Sequence, residues 1–271
     1  MTQQWKFTAL EFLVLCDQHR AGAMPRPLAF ESDEDVTVDQ MDRRKRAVWE
    51  DLQRRLDGSF DGVIEVLRAP ELFVQVKSWD EQDRGDKDKA LRVHVARAGA
   101  LGFVFEQVRG TLTYDAPMVV VTECDPRALS VAVVRLLPRV EGGRLPDIPL
   151  VTDPVEHIAP SWGSSFVRDD VEDRPVYRTQ RFFQQRADLT GAITVVQGRS
   201  KFGPRGIEER VLLWRDVADD GRYVMAVKDG RATVAVSTGR QELVNRLHKE
   251  INDLMERLET HWEWGRPEDR Y

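Results

Sequence analysis

The sequence predicts an α+β protein on a central, largely antiparallel β-sheet built from two pseudo-twofold-related ββββα repeats, and three observations predict it. Residues Glu71 to Pro138 read as four short strands followed by an amphipathic helix, and residues Gly191 to Leu258 read the same way. Within the strands apolar residues recur at every second position, as in Leu72, Val74 and Val76 or Leu91, Val93 and Val95. That is the period of a strand with one covered face. The connections Asp219-Asp220-Gly221 and Lys228-Asp229-Gly230 are hairpin signals, because glycine readily supplies the positive φ of a tight turn and a hairpin makes antiparallel neighbours.

Taken in order, the chain opens on a helix start. Thr8 is placed to cap, Glu11 three residues on to return the bond, and Phe7 and Phe12 to form a hydrophobic staple. That helix runs through Leu13, Leu15 and Cys16 to near Gly22, and Pro27 to Phe30 suggest a short extra edge strand. A second helix follows the acids Glu31, Asp33, Glu34 and Asp35, whose charge suits a helix N-terminus, and it carries Met41, Val48, Leu52 and Leu56 on one face. The strands of the first repeat are 71–77, 91–95, 101–105 and 117–121, and its helix spans 126–137 after the capping Asp125. A connector at 139–168, rich in Pro and Gly, crosses the surface. A helix within Asp169 to Gln185, started or broken by Pro175, opens the second half. The strands of the second repeat are 191–196, 209–214, 222–227 and 232–236. Thr238 and Gln241 mark the cap of a last helix, Arg240 to Glu259, whose Leu243, Leu247, Ile251, Leu254 and Leu258 resemble a helix-pairing seam. The expected organisation is one domain, 1–271, of two subrepeats (about 1–138 and 169–261) with a C-terminal tail at 262–271.

Hydrophobic residues at 41% and charged residues at 32% suit a packed core under a charged surface. The net charge of −6 argues against non-specific binding to nucleic acid or to an anionic membrane. No apolar run reads as a signal peptide or a spanning helix, so no direct membrane insertion is expected. Cys16 and Cys124 show no ligand spacing, which fits a reducing cytoplasm.

The residues that could carry chemistry mostly have structural readings. Cys16 and His19 share a helix face, but Cys16 belongs to the apolar stripe and reads as a buried thiol. The five histidines form no ligand pair, and Asp169, Asp170, Glu172 and Asp173 lack the glycine of a calcium loop. The stretch Gly198 to Gly206 lacks the Lys followed by Ser or Thr of a phosphate cradle, and Asp216, Asp219 and Asp220 belong to a turn. No catalytic residue, cofactor or metal is expected, and the chain does not read as an enzyme. What stands out is surface material. The loop Ser78 to Lys89 is long, highly charged and carries Trp79 at its base, and the tail holds Trp262, Trp264 and Tyr271.

One further pattern covers nearly the whole chain. It comprises Gly191-Ala192-Ile193-Thr194-Val195 through Arg199, Leu213-Trp214-Arg215-Asp216 and Asp220-Gly221-Arg222-Tyr223, then the terminal strand and helix. In the first half it includes the Thr-capped helix ending near Pro25-Arg26-Pro27-Leu28, and Asp125-Pro126-Arg127-Ala128-Leu129 leading to Val133-Val134-Arg135-Leu136-Leu137-Pro138. In order and spacing these segments resemble the EspG family of actinobacterial type VII secretion chaperones. The resemblance implies a quasi-twofold antiparallel sheet with flanking helical bundles and a binding activity without cofactor. It implies that the protein holds the apolar tip of a PE/PPE heterodimer in the cytoplasm and directs that cargo to the secretion machinery. In the family a loop between the strands matching 71–77 and 90–95 contributes to the contact, with the sheet surface and the C-terminal helices. Carried across, this points to Trp79, Asp80, Glu81, Arg84 and Lys87, with Trp214 and Tyr223 from the sheet. The loop here is more acidic and more charged than the family pattern, which bears on the partner rather than the fold.

Two other readings stay open. One is an enzyme or small-ligand binder with a pocket between the two halves. The other is a self-associating adaptor, a homodimer in which the leucine seam pairs between chains.

Overall fold

The alternating segments pair into one large sheet. The computed structural model describes residues 3–20, 23–31, 35–83, 90–108, 117–151, 175–200 and 206–263. The chain begins with β1 (Gln4–Thr8), α1 (Ala9–Arg20), α2 (Val38–Arg55), a single 3-10 turn (Gly58–Phe60) and α3 (Asp61–Arg68). The strands β2 (Leu72–Trp79), β3 (Arg92–Ala98), β4 (Leu101–Val108) and β5 (Met118–Glu123) follow, then α4 (Leu129–Leu136), β6 (Ile148–Pro149) and α5 (Pro175–Gln184). The last elements are β7 (Ala187–Gln197), β8 (Glu209–Val217), β9 (Gly221–Lys228), β10 (Arg231–Ala232), β11 (Val234–Ser237) and α6 (Arg240–Glu263).

The order across the sheet is β1-β5-β4-β3-β2-β7-β8-β9-β11-β6, with β10 paired to β9. Every pairing between these strands is antiparallel. The fold is thus α+β, with six helices among the described residues. At its centre β2 and β7 pair over a long register, from Leu72 opposite Gln197 to Trp79 opposite Thr190. The turn residues behave as their chemistry requires: Asp229 and Gly230 both have positive φ (50° and 75°), and so does Asp219 at 59°.

Both faces of the sheet carry helices. On one, Val74, Val76, Val95, Ile193, Val195 and Trp214 pack under α4 and α6. On the other, α1, α2 and α3 bury Phe7, Phe12, Leu52, Phe60, Val63 and Leu67 against Ala96, Phe103, Phe105, Val119 and Val121. Farther along that second face, Phe182 of α5 and Ile148 of β6 pack with Val217, Tyr223 and Met225. Leu243, Leu247, Ile251, Leu254 and Leu258 are all buried, and the first four belong to the α4–α6 core. The seam packs on the chain's own sheet, so it is not a surface for pairing between chains.

The Thr8 capping box forms as expected, with Thr8 N–H donating to Glu11 Oε2 (2.7 Å) and Glu11 N–H to Thr8 Oγ1 (3.2 Å). The staple rings of Phe7 and Phe12 lie 6.2 Å apart. Ahead of them, Gln4 to Thr8 add an edge strand to β5, with Trp5 and Phe7 turned inward. Residues 27–30 make no strand. The Gln107 amide takes that place, donating to Ala29 O (2.7 Å) and accepting from Ala29 N–H (3.0 Å). Thr37 and Gln40 form a second capping box at the start of α2. The helix α4 starts at Leu129 rather than Pro126, because Asp125 holds a turn by accepting from Arg127 N–H (2.8 Å).

The described part of the connector, 139–151, is tied to the sheet by backbone bonds. Arg222 N–H donates to Glu141 O (2.8 Å), Gly143 N–H to Arg222 O (3.1 Å) and Leu150 N–H to Thr233 O (2.8 Å). Residues 141–150 therefore extend the sheet beside β9 and β11. Thr238 turns its hydroxyl to the Val236 carbonyl (2.8 Å), and the Leu243 amide bonds to Gly239 O at the start of α6. The acidic run 169–173 lies outside the described residues.

Candidate partner-binding surface

Between the helices that cover the second face, the middle of the sheet is only half covered. Antiparallel register puts Lys77, Ala192 and Leu213 in one cross-strand row, and Gln75, Thr194 and Val211 in the next. All are half-buried except Lys77, which is exposed. Phe73 and Val196 continue the strip at one end, and Trp79 at the other, all half-buried. The result is a shallow floor of mixed apolar and polar groups, walled by α1–α3 on one side and by α5 on the other.

The Trp79 end is where the charged loop leaves the sheet. Ser78 and Leu91 close its base, Ser78 N–H donating to Leu91 O (3.0 Å) and Leu91 N–H to Ser78 Oγ (2.9 Å). Asp80 is buried, and its Oδ1 accepts from Gln82 N–H (2.8 Å). Glu81 turns back onto the sheet and meets Arg215, whose side chain is only 2% exposed. Arg215 Nε donates to Glu81 Oε1 (2.7 Å) and Nη2 to Glu81 Oε2 (2.6 Å), a bidentate pair. Thr190 Oγ1 adds a third bond to Oε1 (2.6 Å). The same guanidinium donates to the carbonyls of Phe182 (2.5 Å), Phe183 (3.3 Å) and Gln185 (2.8 Å), capping the negative end of α5. The Phe182 and Phe183 rings lie 5.2 and 5.5 Å from it. Phe183 is 52% exposed, an apolar group on the wall of the strip.

The sequence-predicted residues thus separate. Trp79, Asp80 and Glu81 stand together at the loop base, whereas Arg84 and Lys87 lie outside the described residues. Trp214 and Tyr223 are fully buried, so neither presents a surface to a partner. Trp214 lies over Gly191 on the α6 side, where a Cβ on the glycine would come within 2.1 Å of its ring. Tyr223 packs against Phe182 (5.3 Å between centroids) and donates to Asp220 Oδ2 (2.7 Å). Burial, then that bond, pushes its phenol up to about 12. Replacing Gly191 with alanine is expected to lower stability by about 1–3 kcal/mol through overpacking, read as a drop in the urea midpoint. Sequence reasoning did not single out Arg215, Thr190 or Phe183. A lone arginine in a strand gives no signal of its counterion when that partner lies 134 residues away.

The groups weighed for catalysis are accounted for structurally. Cys16 is fully buried in the α1 core. Burial, then Asp125 and Glu123, push the Cys124 thiol up to about 12, so it stays protonated. His19 stands edge-on to Trp49 (5.9 Å) in a cleft of about 910 Å³ among α1, α2 and α3, and burial and then Arg68 lower its pKa. Asp216 is bound to Arg222, and Asp220 to Tyr223. A cleft of about 400 Å³ does lie between the halves on the α4 side, lined by Leu91, Leu136, Pro138, Leu189 and Val217. Among the described residues no group of three or more His, Cys, Asp and Glu could hold a metal ion, and no helix is long and apolar enough to cross a membrane.

The family model described as the EspG family matches residues 8–249 of the chain. No curated protein matches it.

Proposed function

Because the chain belongs to the EspG family, whose members are chaperones associated with type VII secretion, we propose that it binds a PE/PPE-type heterodimer by that pair's apolar tip in the cytoplasm and delivers it to the secretion machinery. The observation that carries this reading is the half-covered strip of the sheet beside Trp79 and Phe183. A rigid floor with apolar groups and a charged rim suits an apolar segment that would otherwise aggregate. Trp79 is the anchor of the contact set. Arg84 and Lys87 supply rim charge, which sets orientation and partner choice more than affinity, while the buried Asp80 shapes the loop base through its bond from Gln82 N–H. Burial assigns Trp214 and Tyr223 to the cores instead. In this reading the chain is one domain with two pseudo-twofold halves. The strand order supports that, since β2 to β5 run outward from the central pair as β7, β8, β9 and β11 do on the other side.

The test is co-expression with a PE/PPE-like pair encoded beside this gene, followed by size exclusion with light scattering. A complex of one chaperone with one heterodimer is the expected result. Trp79→Ala is expected to weaken it by about 10- to 30-fold, the effect of losing an aromatic anchor. A well-folded sample that binds no neighbouring pair would overturn the reading. The second reading, a small ligand in the 400 Å³ cleft between the halves, would then be screened by thermal shift.

A further inference from the structure

The Glu81–Arg215 pair joins three parts of the chain that are far apart in sequence: Arg215 of β8 holds the start of the β2–β3 connection at Glu81 and the end of α5 through three carbonyls, and Glu81 in turn accepts from Thr190 of β7. A guanidinium almost fully removed from water requires negative charge around it. The α5 C-terminus offers only the partial charge of its free carbonyls, whereas Glu81 offers a full one. The Glu81 side chain is itself 30% exposed, so it can leave the site for water more easily than Arg215 can.

We infer that Glu81 is a positioning residue rather than a cargo contact: its pair with Arg215 clasps the β2–β3 connection to the end of α5 and fixes the place where the charged loop departs beside the strip. The inference rests on the proposed cargo-binding reading for its functional half and on the structure alone for its mechanical half. Two walls of the strip are thereby tied together. Phe183 sits on one side of the clasp, with its carbonyl on Arg215, and Trp79 lies two residues before Glu81 on the other. Arg215 stays in place without Glu81, held by the α5 carbonyls and its two phenylalanine rings. Loss of the carboxylate then frees the loop base and leaves an uncompensated cation under α5.

The experiment compares the wild type, Glu81→Ala and Glu81→Gln in two measurements. Glutamine keeps one acceptor oxygen, able to take both Thr190 Oγ1–H and Arg215 Nε–H, but it loses the acceptor for Nη2 and carries no charge. Amide hydrogen exchange is followed at residues 80–83 and 183–185, with α1–α3 as the internal reference. Glu81→Ala is expected to speed exchange about tenfold or more at both sites together and to leave the reference unchanged. Glu81→Gln should fall between alanine and wild type. Cargo affinity, measured with the co-expressed heterodimer, is expected to fall in the same order. Unchanged exchange at 183–185 in both variants overturns the clasp, and so does faster exchange throughout the molecule. Wild-type affinity in a variant whose exchange is accelerated at both sites overturns the positioning role. A wild-type protein that binds no cargo sinks the cargo reading, and the exchange data still decide the clasp.

Discussion

Asp216→Ala is expected to cost about 3–5 kcal/mol of folding stability, because it strands a buried cation. The Arg222 side chain is 1% exposed and that of Asp216 is 4% exposed, and they meet through bonds of 2.6 and 2.7 Å. Arg222 also donates to Pro138 O (3.1 Å) and binds the connector through its backbone at Glu141 and Gly143. Alanine removes the carboxylate while those bonds keep the guanidinium in place. A small domain has about 5–15 kcal/mol in all, so the variant should unfold at much lower urea and be cleaved early by protease at 139–145. The sign of the pair itself is a separate question, since two charges taken out of water repay their desolvation poorly. The double variant Asp216→Leu/Arg222→Met is therefore expected to recover most of the loss. A single variant within about 1 kcal/mol of wild type would mean that water or another anion reaches Arg222 in solution.

Leu247→Asp is expected to be more severe, above about 4 kcal/mol, since it deletes a fully buried side chain and places a carboxylate between the sheet and α4. The expressed protein should collect in the insoluble fraction. Glu256→Lys, at an exposed position on the same helix, should leave stability within about 0.5 kcal/mol. This pair of variants separates two roles for the leucine stripe. If the stripe held two chains together, Leu247→Asp would give a soluble monomer with a wild-type unfolding transition. Light scattering and urea denaturation read both quantities on one sample.

Much of the fold was legible because the physics that sets it is local. Period-two alternation located eight strands, and the Asp-Gly turns set their antiparallel sense. A spacing of three or four residues found α6 and its buried stripe. The edge strand β1 was hidden by its neighbour: Trp5 and Phe7 alternate properly, but five residues running straight into a strong helix cap were absorbed into the helix start. The short helix α3 was missed for a similar reason, its Val63, Val66 and Leu67 being too few to stand out. The proposed surface was legible only in part. The loop and Trp79 announced themselves by length and charge. Trp214 and Tyr223 enter as contacts only through the resemblance, and alternation could not correct that, since it tells which residues share a face but not whether a helix lies over it. With α6 over one face and α5 over the other, both rings went inside. The Glu81–Arg215 clasp had no local signature at all, since its partners meet only after the two halves of the sheet have joined.

That joining has a consequence for how the protein is made. The central pair connects Trp79 to Thr190, roughly a hundred residues apart, and on the ribosome such a gap takes on the order of ten seconds at about 5–20 residues per second. Meanwhile β1 to β5 can pair among themselves, but the outer edge of β2 has nothing to bond. Its Leu72, Val74 and Val76 await a core completed by both α4 and α6, the second of which is synthesised only after β7 to β11. Contacts this distant also slow folding in general. A protein proposed to shield the apolar tip of another chain therefore spends its own synthesis with an unshielded strand at its centre, and its yield should depend on what attends it there.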